Sequence, residues 1–208
     1  MTDDSKDNTA VPIDGLIDAM LDMVVKDGWS AVTLDAVAAR AGITLPDAYA
    51  LCADRGQLLD AYARRVDVMA CSDAQPGSDS AARYDELLDI LMRRFEALQV
   101  HRDAVRRLVR EVPADPKTLL QRLPQSQRSF AFLAAAAGYP GAGIPGVLFA
   151  KMLSAVWLAT QRDWLRDDTP DLSVTMASLD RNLGRAIDLI GPVIRFGGAD
   201  IRAEDGAP

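Results

Sequence analysis

The stretch that decides the fold is residues 28–59, GWSAVTLDAVAARAGITLPDAYALCADRGQLL. Thr33 can cap a short helix over Leu34–Ala41, because a threonine hydroxyl accepts a hydrogen bond from the first helical turn. Gly42 allows a tight turn. Thr44, with an acidic residue three positions later, starts a second short helix. Two short helices around such a turn predict a helix-turn-helix, a unit whose second helix enters the major groove of DNA.

The flanking sequence predicts further helices. Apolar residues recur at helical spacing between Ile13 and Val25, and this first helix ends at Asp27-Gly28. A fourth helix follows Gly56-Gln57, and residues 72–80, SDAQPGSDS, predict a loop. One or two helices are expected over residues 81–112, with His101 at the seam if there are two. Later helices are expected over residues 119–123, 126–137, 147–166 and 173–190, with Gly191-Pro192 as the final stop. The predicted fold class is all-α: a small N-terminal three-helix unit followed by a larger helical bundle.

Composition excludes several function classes. The formal net charge of −7 gives no long-range attraction to DNA or to anionic membranes. His101 is the only histidine, and there is no Gly-rich phosphate loop, GxSxG or paired-carboxylate pattern. The two cysteines, Cys52 and Cys71, have no metal-ligand spacing. We therefore expect no catalytic activity, no metal and no cofactor.

The same features predict a cytoplasmic protein. Free thiols fit a reducing compartment, and the polar N-terminus has no apolar signal region. The helix from Val147 to Thr160 has only three polar residues, but its apolar run is short and interrupted. We therefore expect no stable membrane insertion.

A set of short motifs within residues 13–66 points to a family. The motifs are Gly28-Trp29 after the first helix, Val37–Gly42 at the end of the second, Ile43-Thr44 at the start of the third, and Tyr49 within it. Together they resemble the DNA-binding domain of the TetR family of bacterial transcription regulators. The family's next aromatic position is Cys52 here. Its lysine, which meets a phosphate, falls on Arg55, and arginine keeps that charge.

The resemblance implies a set of DNA contacts. Thr44 and Tyr49 would meet phosphates, with Arg40 and Arg55 flanking them. The full set of candidate contacts is Thr33, Arg40, Thr44, Leu45, Pro46, Asp47, Ala48, Tyr49 and Arg55, of which Leu45, Asp47 and Ala48 would face bases. Residues 13–66 hold five Lys or Arg against eight Asp, a poor balance for phosphate binding. Most of these aspartates lie on the first helix or at caps. The alternative is a three-helix bundle that keeps its structure but does not bind DNA, with Thr44 and Asp47 acting only as caps.

The second half concentrates aromatic and apolar residues that suit either a core or the wall of a ligand cavity. The candidate pocket residues are Phe95, His101, Phe130, Phe149, Met152, Trp157 and Trp164. The last two long helices are expected to pair with a second copy of the chain through Val156, Met176, Leu179, Leu183 and Ile187.

Two functions follow from these observations. The first is a homodimeric TetR-type regulator that binds palindromic operator DNA and responds to a small hydrophobic effector. The second is lipid or isoprenoid binding without operator binding. It rests on a pattern of Trp164, Asp167-Asp168, Thr175, Leu179-Asp180 and Leu183. With this pattern, roughly the last 60 residues are similar to the tail of a TetR-fold lipid-binding protein of ubiquinone biosynthesis. The expected organisation is a disordered tail over 1–11, a helix-turn-helix domain over 12–71, a ligand-binding and dimerisation domain over 80–196, and a flexible tail over 197–208.

Overall fold

The computed structural model describes residues 13–198, so the expected N-terminal tail and residues 199–208 lie outside the described residues. This part of the chain forms nine α-helices and no β-strand, which confirms the all-α class. The helices are α1 (Ile13–Asp27), α2 (Leu34–Ala41), α3 (Leu45–Leu51), α4 (Arg55–Ala70), α5 (Ser80–Gln99), α6 (Arg102–Glu111), α7 (Pro116–Ala136), α8 (Gly143–Trp164) and α9 (Ser173–Gly198). Short 3-10 turns follow α1 at Trp29–Ala31 and α6 at Val112–Ala114.

Two helices continue through prolines that were expected to break them. Pro124 lies inside α7, where two separate helices were predicted, and α9 runs through Gly191-Pro192 to Gly198. The fixed φ of proline is compatible with a helix, and each ring removes one backbone hydrogen bond. The predicted stop at residue 191 was therefore wrong, and α9 extends two residues into the segment expected to be a flexible tail.

The described chain divides into two compact units. The first contains the described residues up to Arg65 together with Leu98–Arg122, and the second contains Val66–Ala97 together with the described residues from Leu123. The helix-turn-helix and α6 thus belong to one unit, although the loop at 72–80 separates them in sequence.

The core of the first unit forms around α1. Leu16, Met20 and Val24 lie on one face of this helix and are fully buried. The helix packs against α2 and α6, and Trp29, just after its end, is also buried. The amphipathic pattern read from the sequence therefore identifies the buried face of α1.

The core of the second unit forms around α8. Eight residues of this helix are buried, including Phe149, Leu153 and Trp164, and the helix packs against α9. With 22 residues and a mean hydropathy of 1.4, α8 is the one described helix long and apolar enough to cross a membrane by length and composition. The apolar character of α8 fits its place in the core, because a buried core helix can be equally long and apolar.

A buried carboxylate fixes the start of α9. Asp167 accepts hydrogen bonds from the backbone N–H and the hydroxyl of Thr175, both at 2.7 Å. Burial alone would raise the pKa of Asp167, but the hydrogen bonds from Thr169 and Thr175 lower it to about 2. The carboxylate thereby satisfies an N–H group in the first turn that has no partner within the helix.

We predict that Asp167→Asn destabilises the protein in a pH-dependent way. The folded pKa lies below the ordinary value of 3.8, so the stabilisation is present above about pH 4 and is lost as the pH falls toward 2. The expected loss at pH 7 is on the order of 2 kcal/mol, read from urea unfolding. The control is Asp188→Asn, at an exposed position on the same helix. An equal effect of Asp167→Asn at pH 7 and near pH 3 would contradict the assignment.

Candidate nucleic-acid interface

The turn between α2 and α3 is built from local hydrogen bonds. Gly42 adopts φ +74°, in the left-handed region that glycine enters at low cost. Its N–H donates to the carbonyl of Ala39 at 3.3 Å, and the N–H of Ile43 donates to Ala38 at 3.1 Å. This pair of bonds is a Schellman motif, which ends α2 and redirects the chain.

The first turn of α3 is capped by Thr44 in the way the sequence predicts. The Thr44 hydroxyl accepts from the N–H of Asp47 at 3.3 Å and donates to the Asp47 carboxylate at 2.6 Å. Ala48 is 0% exposed and Cys52 is 4% exposed, so these two residues anchor the inner face of α3. Cys52 therefore occupies a buried position at the place where the family has an aromatic residue.

The rest of α3 is exposed and mostly apolar. Leu45 is 48% exposed, Tyr49 is 64% exposed and Leu51 is 40% exposed. We define the α3 outer face by its exposed residues: Leu45, Pro46, Asp47, Tyr49, Ala50 and Leu51. Ala48 is absent from this face because it is buried, so the expectation that it faces a base was wrong.

The arginine that precedes this face in the sequence, Arg40, is held by an internal ion pair. The Nε of Arg40 donates to Asp22 of α1 at 2.8 Å, and a second guanidinium nitrogen contacts the same carboxylate oxygen. Lys26 pairs with Asp22 as well, at 3.1 Å. The hydrogen bond from Arg40 and then that from Lys26 lower the pKa of Asp22. Residues 43–54 contain no lysine or arginine, so the outer face of α3 carries no positive charge of its own.

Arg55, at the start of α4, is engaged inside the first unit. One guanidinium nitrogen donates to the carbonyls of Trp29 and Val32, each at 3.1 Å. The other nitrogen donates to Asp115 at 2.7 Å, and the guanidinium lies 4.9 Å from the centre of the Trp29 ring. The side chain is 30% exposed. In the structure, Arg55 therefore stabilises the first unit through internal hydrogen bonds, a role that the sequence did not predict. Its contact with a DNA phosphate stays a prediction.

Asp115 connects several segments of the first unit. Besides Arg55, its carboxylate accepts from the indole N–H of Trp29 at 3.3 Å and from the hydroxyl of Thr118 at 2.6 Å. The Thr118 hydroxyl and N–H, and then the Trp29 indole, hold the pKa of Asp115 well below its usual range. We call Asp115, Trp29, Arg55 and Thr118 the Asp115 cluster.

A second contact holds the same region of the chain. Glu111 accepts from the backbone N–H of Trp29 at 2.6 Å, and Arg107 donates to the carbonyls of Val24 and Val25 at the end of α1. Gly28 lies between them with φ +87°, and a Cβ there would meet the Glu111 carboxylate at 3.0 Å. No local pattern marked Glu111 or Asp115 as partners of Trp29, because they lie more than 80 residues away in sequence.

Most of the predicted pocket residues pack against one another in the second unit. The rings of Phe95 and Trp157 are stacked 4.0 Å apart, and Phe130 and Trp164 lie beside them at 6.2 and 5.8 Å. Phe149 is stacked on a different ring, that of Tyr139, at 4.4 Å, and Met152 is partly exposed. These contacts fit the core interpretation, and an effector site among the rings stays a prediction.

A buried ion pair lies against the same aromatic rings. Arg94 donates to Asp67 at 2.8 Å, and its guanidinium lies 4.2 Å from the centre of the Trp157 ring. Ser129 also donates to Asp67, so both charged groups are hydrogen-bonded. Removal of one partner from such a pair would destabilise the second unit, because the other charge would stay buried without compensation.

His101, the remaining candidate pocket residue, lies in the first unit. It borders an open groove of about 540 Å³ between α1 and the start of α6, with Asp18, Leu21 and Val25 on the α1 side. Burial, together with the nearby charge of Arg65, lowers the pKa of His101. The histidine therefore stands apart from the aromatic set with which the sequence grouped it.

The predicted dimer residues have different environments. Val156, Leu179 and Leu183 are at most 5% exposed within the single chain, so they cannot offer surface to a partner. Their assignment to an interface was wrong, because they are already buried within the single chain. Met176 is 48% exposed and Ile187 is partly exposed.

Comparison with known proteins identifies the fold. No protein-family model matches the chain, and no curated protein matches it by sequence. Among solved structures, the chain is similar to the TetR transcriptional regulator from Nitrosomonas europaea ATCC 19718, with a TM-score of 0.64 and 21% identity over 84% of this chain and 97% of that one. It is also similar to a protein assigned to TetR-family transcriptional regulators from Mesorhizobium loti MAFF303099, with a TM-score of 0.53 and 12% identity over 85% and 95% of the two chains.

These likenesses place the chain among all-α proteins that contain a helix-turn-helix. More particularly, the fold is that of the TetR-family transcriptional regulators, and the resemblance predicted from the motifs of residues 13–66 is confirmed at the level of the fold.

We predict that Asp115→Ala loosens the first unit. The change removes the acceptor shared by Trp29, Arg55 and Thr118 and leaves part-buried donors without a partner. The melting temperature should fall, and the backbone amides of residues 28–33 should exchange faster with deuterium than in the wild type. Asp27→Ala, at an exposed position at the end of α1, is the matched control. Unchanged exchange around Trp29 in Asp115→Ala would show that the cluster does not hold this segment.

Proposed function

We propose that this protein is a TetR-type transcription regulator that binds palindromic operator DNA as a homodimer. The observation that carries the proposal is the exposed α3, capped at Thr44 and anchored by Ala48, within a fold shared with TetR-family regulators. A helix presented in this way can enter a major groove, and two copies related by a twofold axis meet successive grooves. The protein binds DNA and does no chemistry, and its expected location is the cytoplasm.

The charges around α3 define how the DNA would be held. Arg40 and Arg55 are the only lysines or arginines between residues 33 and 60, and both are paired with aspartates. Phosphate contacts would therefore come from few groups: the hydroxyls of Thr33 and Thr44, and Arg40 and Arg55 where a phosphate replaces the paired aspartate. The salt-dependent part of the affinity is small as a result.

The test is operator selection from random DNA, followed by binding measurements over a salt series. With at most two arginines per protomer, the slope of log K against log salt for the dimer should be no steeper than about −4. Arg40→Gln should weaken binding to all sequences alike and flatten the slope by about two ions per dimer. Lys26→Gln is the control, because Lys26 pairs with the same Asp22 from α1. Failure to select any DNA sequence would overturn the proposed function.

The dimer in this proposal forms through the second unit. Val147, Ala155 and Leu158 are exposed on one side of α8, and Val174 and Ala177 are exposed on α9. Apolar exposed stripes on two packed helices suit a four-helix contact with a second copy. An obligate dimer of this kind buries on the order of 2,000 Å² or more.

We predict that Leu158→Glu yields monomers. Leu158 is 59% exposed, so the substitution leaves the fold intact but places a charge in the proposed interface. Val68→Glu, at a 64% exposed position on α4, is the matched control and should remain dimeric. Sedimentation velocity at micromolar concentration separates the two outcomes. A wild-type monomer, or a dimeric Leu158→Glu variant, would contradict this interface.

The proposal includes a small hydrophobic effector. The aromatic set around Trp157 in the second unit is the region where an apolar molecule would find most contact area. An effector acts only if it binds the DNA-competent and the released states with different affinities.

A second candidate is lipid or isoprenoid binding on the same fold without operator binding. It is favoured by Ile144 and Leu189, which are 86% and 79% exposed, and by the absence of cations from α3. Selection of no DNA sequence, together with quenching of tryptophan emission by an isoprenoid quinone, would support this candidate.

A further inference from the structure

The α3 outer face has an unusual chemical composition for a surface that reads DNA. Between Ile43 and Asp54 the chain has no Lys, Arg, Asn, Gln or His. The exposed side chains of α3 are apolar except for Asp47 and the hydroxyl of Tyr49. The hydroxyl of Thr44, at the cap, already donates to Asp47.

The α3 outer face lacks the side chains that usually form hydrogen bonds with base edges. Guanine is read in the major groove by two donors of Arg or Lys, and adenine by the amide of Asn or Gln. None of these side chains lies on α3. What remains is the contact of apolar side chains with the C5-methyl group of thymine, and acceptance by Asp47 from the amino group of cytosine.

We propose that the α3 outer face recognises thymine methyl groups in the major groove, with Leu45 and Tyr49 as the contacting side chains. The inference rests on the proposed function and names the class of DNA site that it requires. Leu45 and Tyr49 are one helical turn apart on the same side of α3 and are 48% and 64% exposed. Their separation along the helix axis is about 6 Å. This spans about two base-pair steps of roughly 3.4 Å.

The structure of the first turn supports this arrangement. Ala48 lies at 0% exposure between the two contacting residues and fixes the depth of the helix against the unit. Thr44 holds the carboxylate of Asp47 at 2.6 Å, so the acid is drawn toward the cap. The central part of the face is therefore left to apolar groups, which gain by burying a methyl group and cannot satisfy a buried polar base edge.

The experiment replaces thymine by uracil in the selected operator, one position at a time. Uracil keeps the base pair, the O4 acceptor and the phosphate charge, and lacks only the methyl group. We expect affinity to fall about fourfold for each contacted methyl, at two positions of each half-site that are about two base-pair steps apart. Uracil at thymines outside the half-sites is the control and should leave the affinity unchanged.

A protein variant assigns the contact to its side chain. In Leu45→Ala, uracil should no longer weaken binding at the position that Leu45 contacts, while the second position keeps its sensitivity. Val25→Ala, at a 43% exposed position on α1, is the matched control for loss of an exposed apolar side chain. A double-mutant cycle between Leu45 and the thymine methyl measures the coupling directly.

The outcomes separate this inference from the proposed function. Tight binding to a selected operator with no sensitivity to uracil in either half-site would overturn the thymine reading and leave the regulator proposal standing. Retained sensitivity at every position in Leu45→Ala would overturn the role of Leu45. Selection of no DNA sequence would overturn both the regulator proposal and the inference built on it.

Discussion

The carboxylate of Asp115 is the constraint on which the first unit depends. It joins the segment after α1, the start of α4 and the start of α7, through Trp29, Arg55 and Thr118. Trp29 and Asp115 are 86 residues apart, so their contact closes a long loop of chain. Arg55 extends the contact to the carbonyl of Val32, directly before α2. The position of the helix-turn-helix therefore follows from bonds made well outside it.

The contrast between local and distant contacts explains what the sequence could predict. Thr33, Gly42 and Thr44 act on neighbours within five residues, and their caps and turn were predicted correctly. Asp115 has no local pattern that reveals its distant partners, Trp29 and Arg55. The inward position of Ala48 was also missed, because a seven-residue helix with apolar residues on both sides has no clear periodicity. The fold was thus more predictable than the surface of its site.

The second unit shows a related limit of prediction from sequence patterns. The sequence identified Phe95, Phe130 and Trp157 as an apolar set, but spacing along helices cannot tell whether the space between rings is filled. In the structure the rings stack, and the guanidinium of Arg94 lies over Trp157. The sequence pattern gave no reason to place a charged side chain there. Val156 was likewise assigned to contact with a partner copy, although this residue is already buried within the single chain.

In the proposed regulator, the internal bonds of Arg55 link DNA binding to the integrity of the first unit. A phosphate that takes Arg55 as its partner would compete with Asp115 and with the contacts that Arg55 makes to Trp29. By linkage, any change that weakens the Asp115 cluster makes Arg55 more available to phosphate, and phosphate binding weakens the cluster to the same degree. While the cluster is intact, the non-specific electrostatic affinity of the first unit for DNA would be low. Discrimination between operator sites would then rest on the shape and the apolar contacts of α3. A DNA-binding unit built in this way would give up affinity for DNA in general, and a larger share of its remaining binding energy would depend on base sequence.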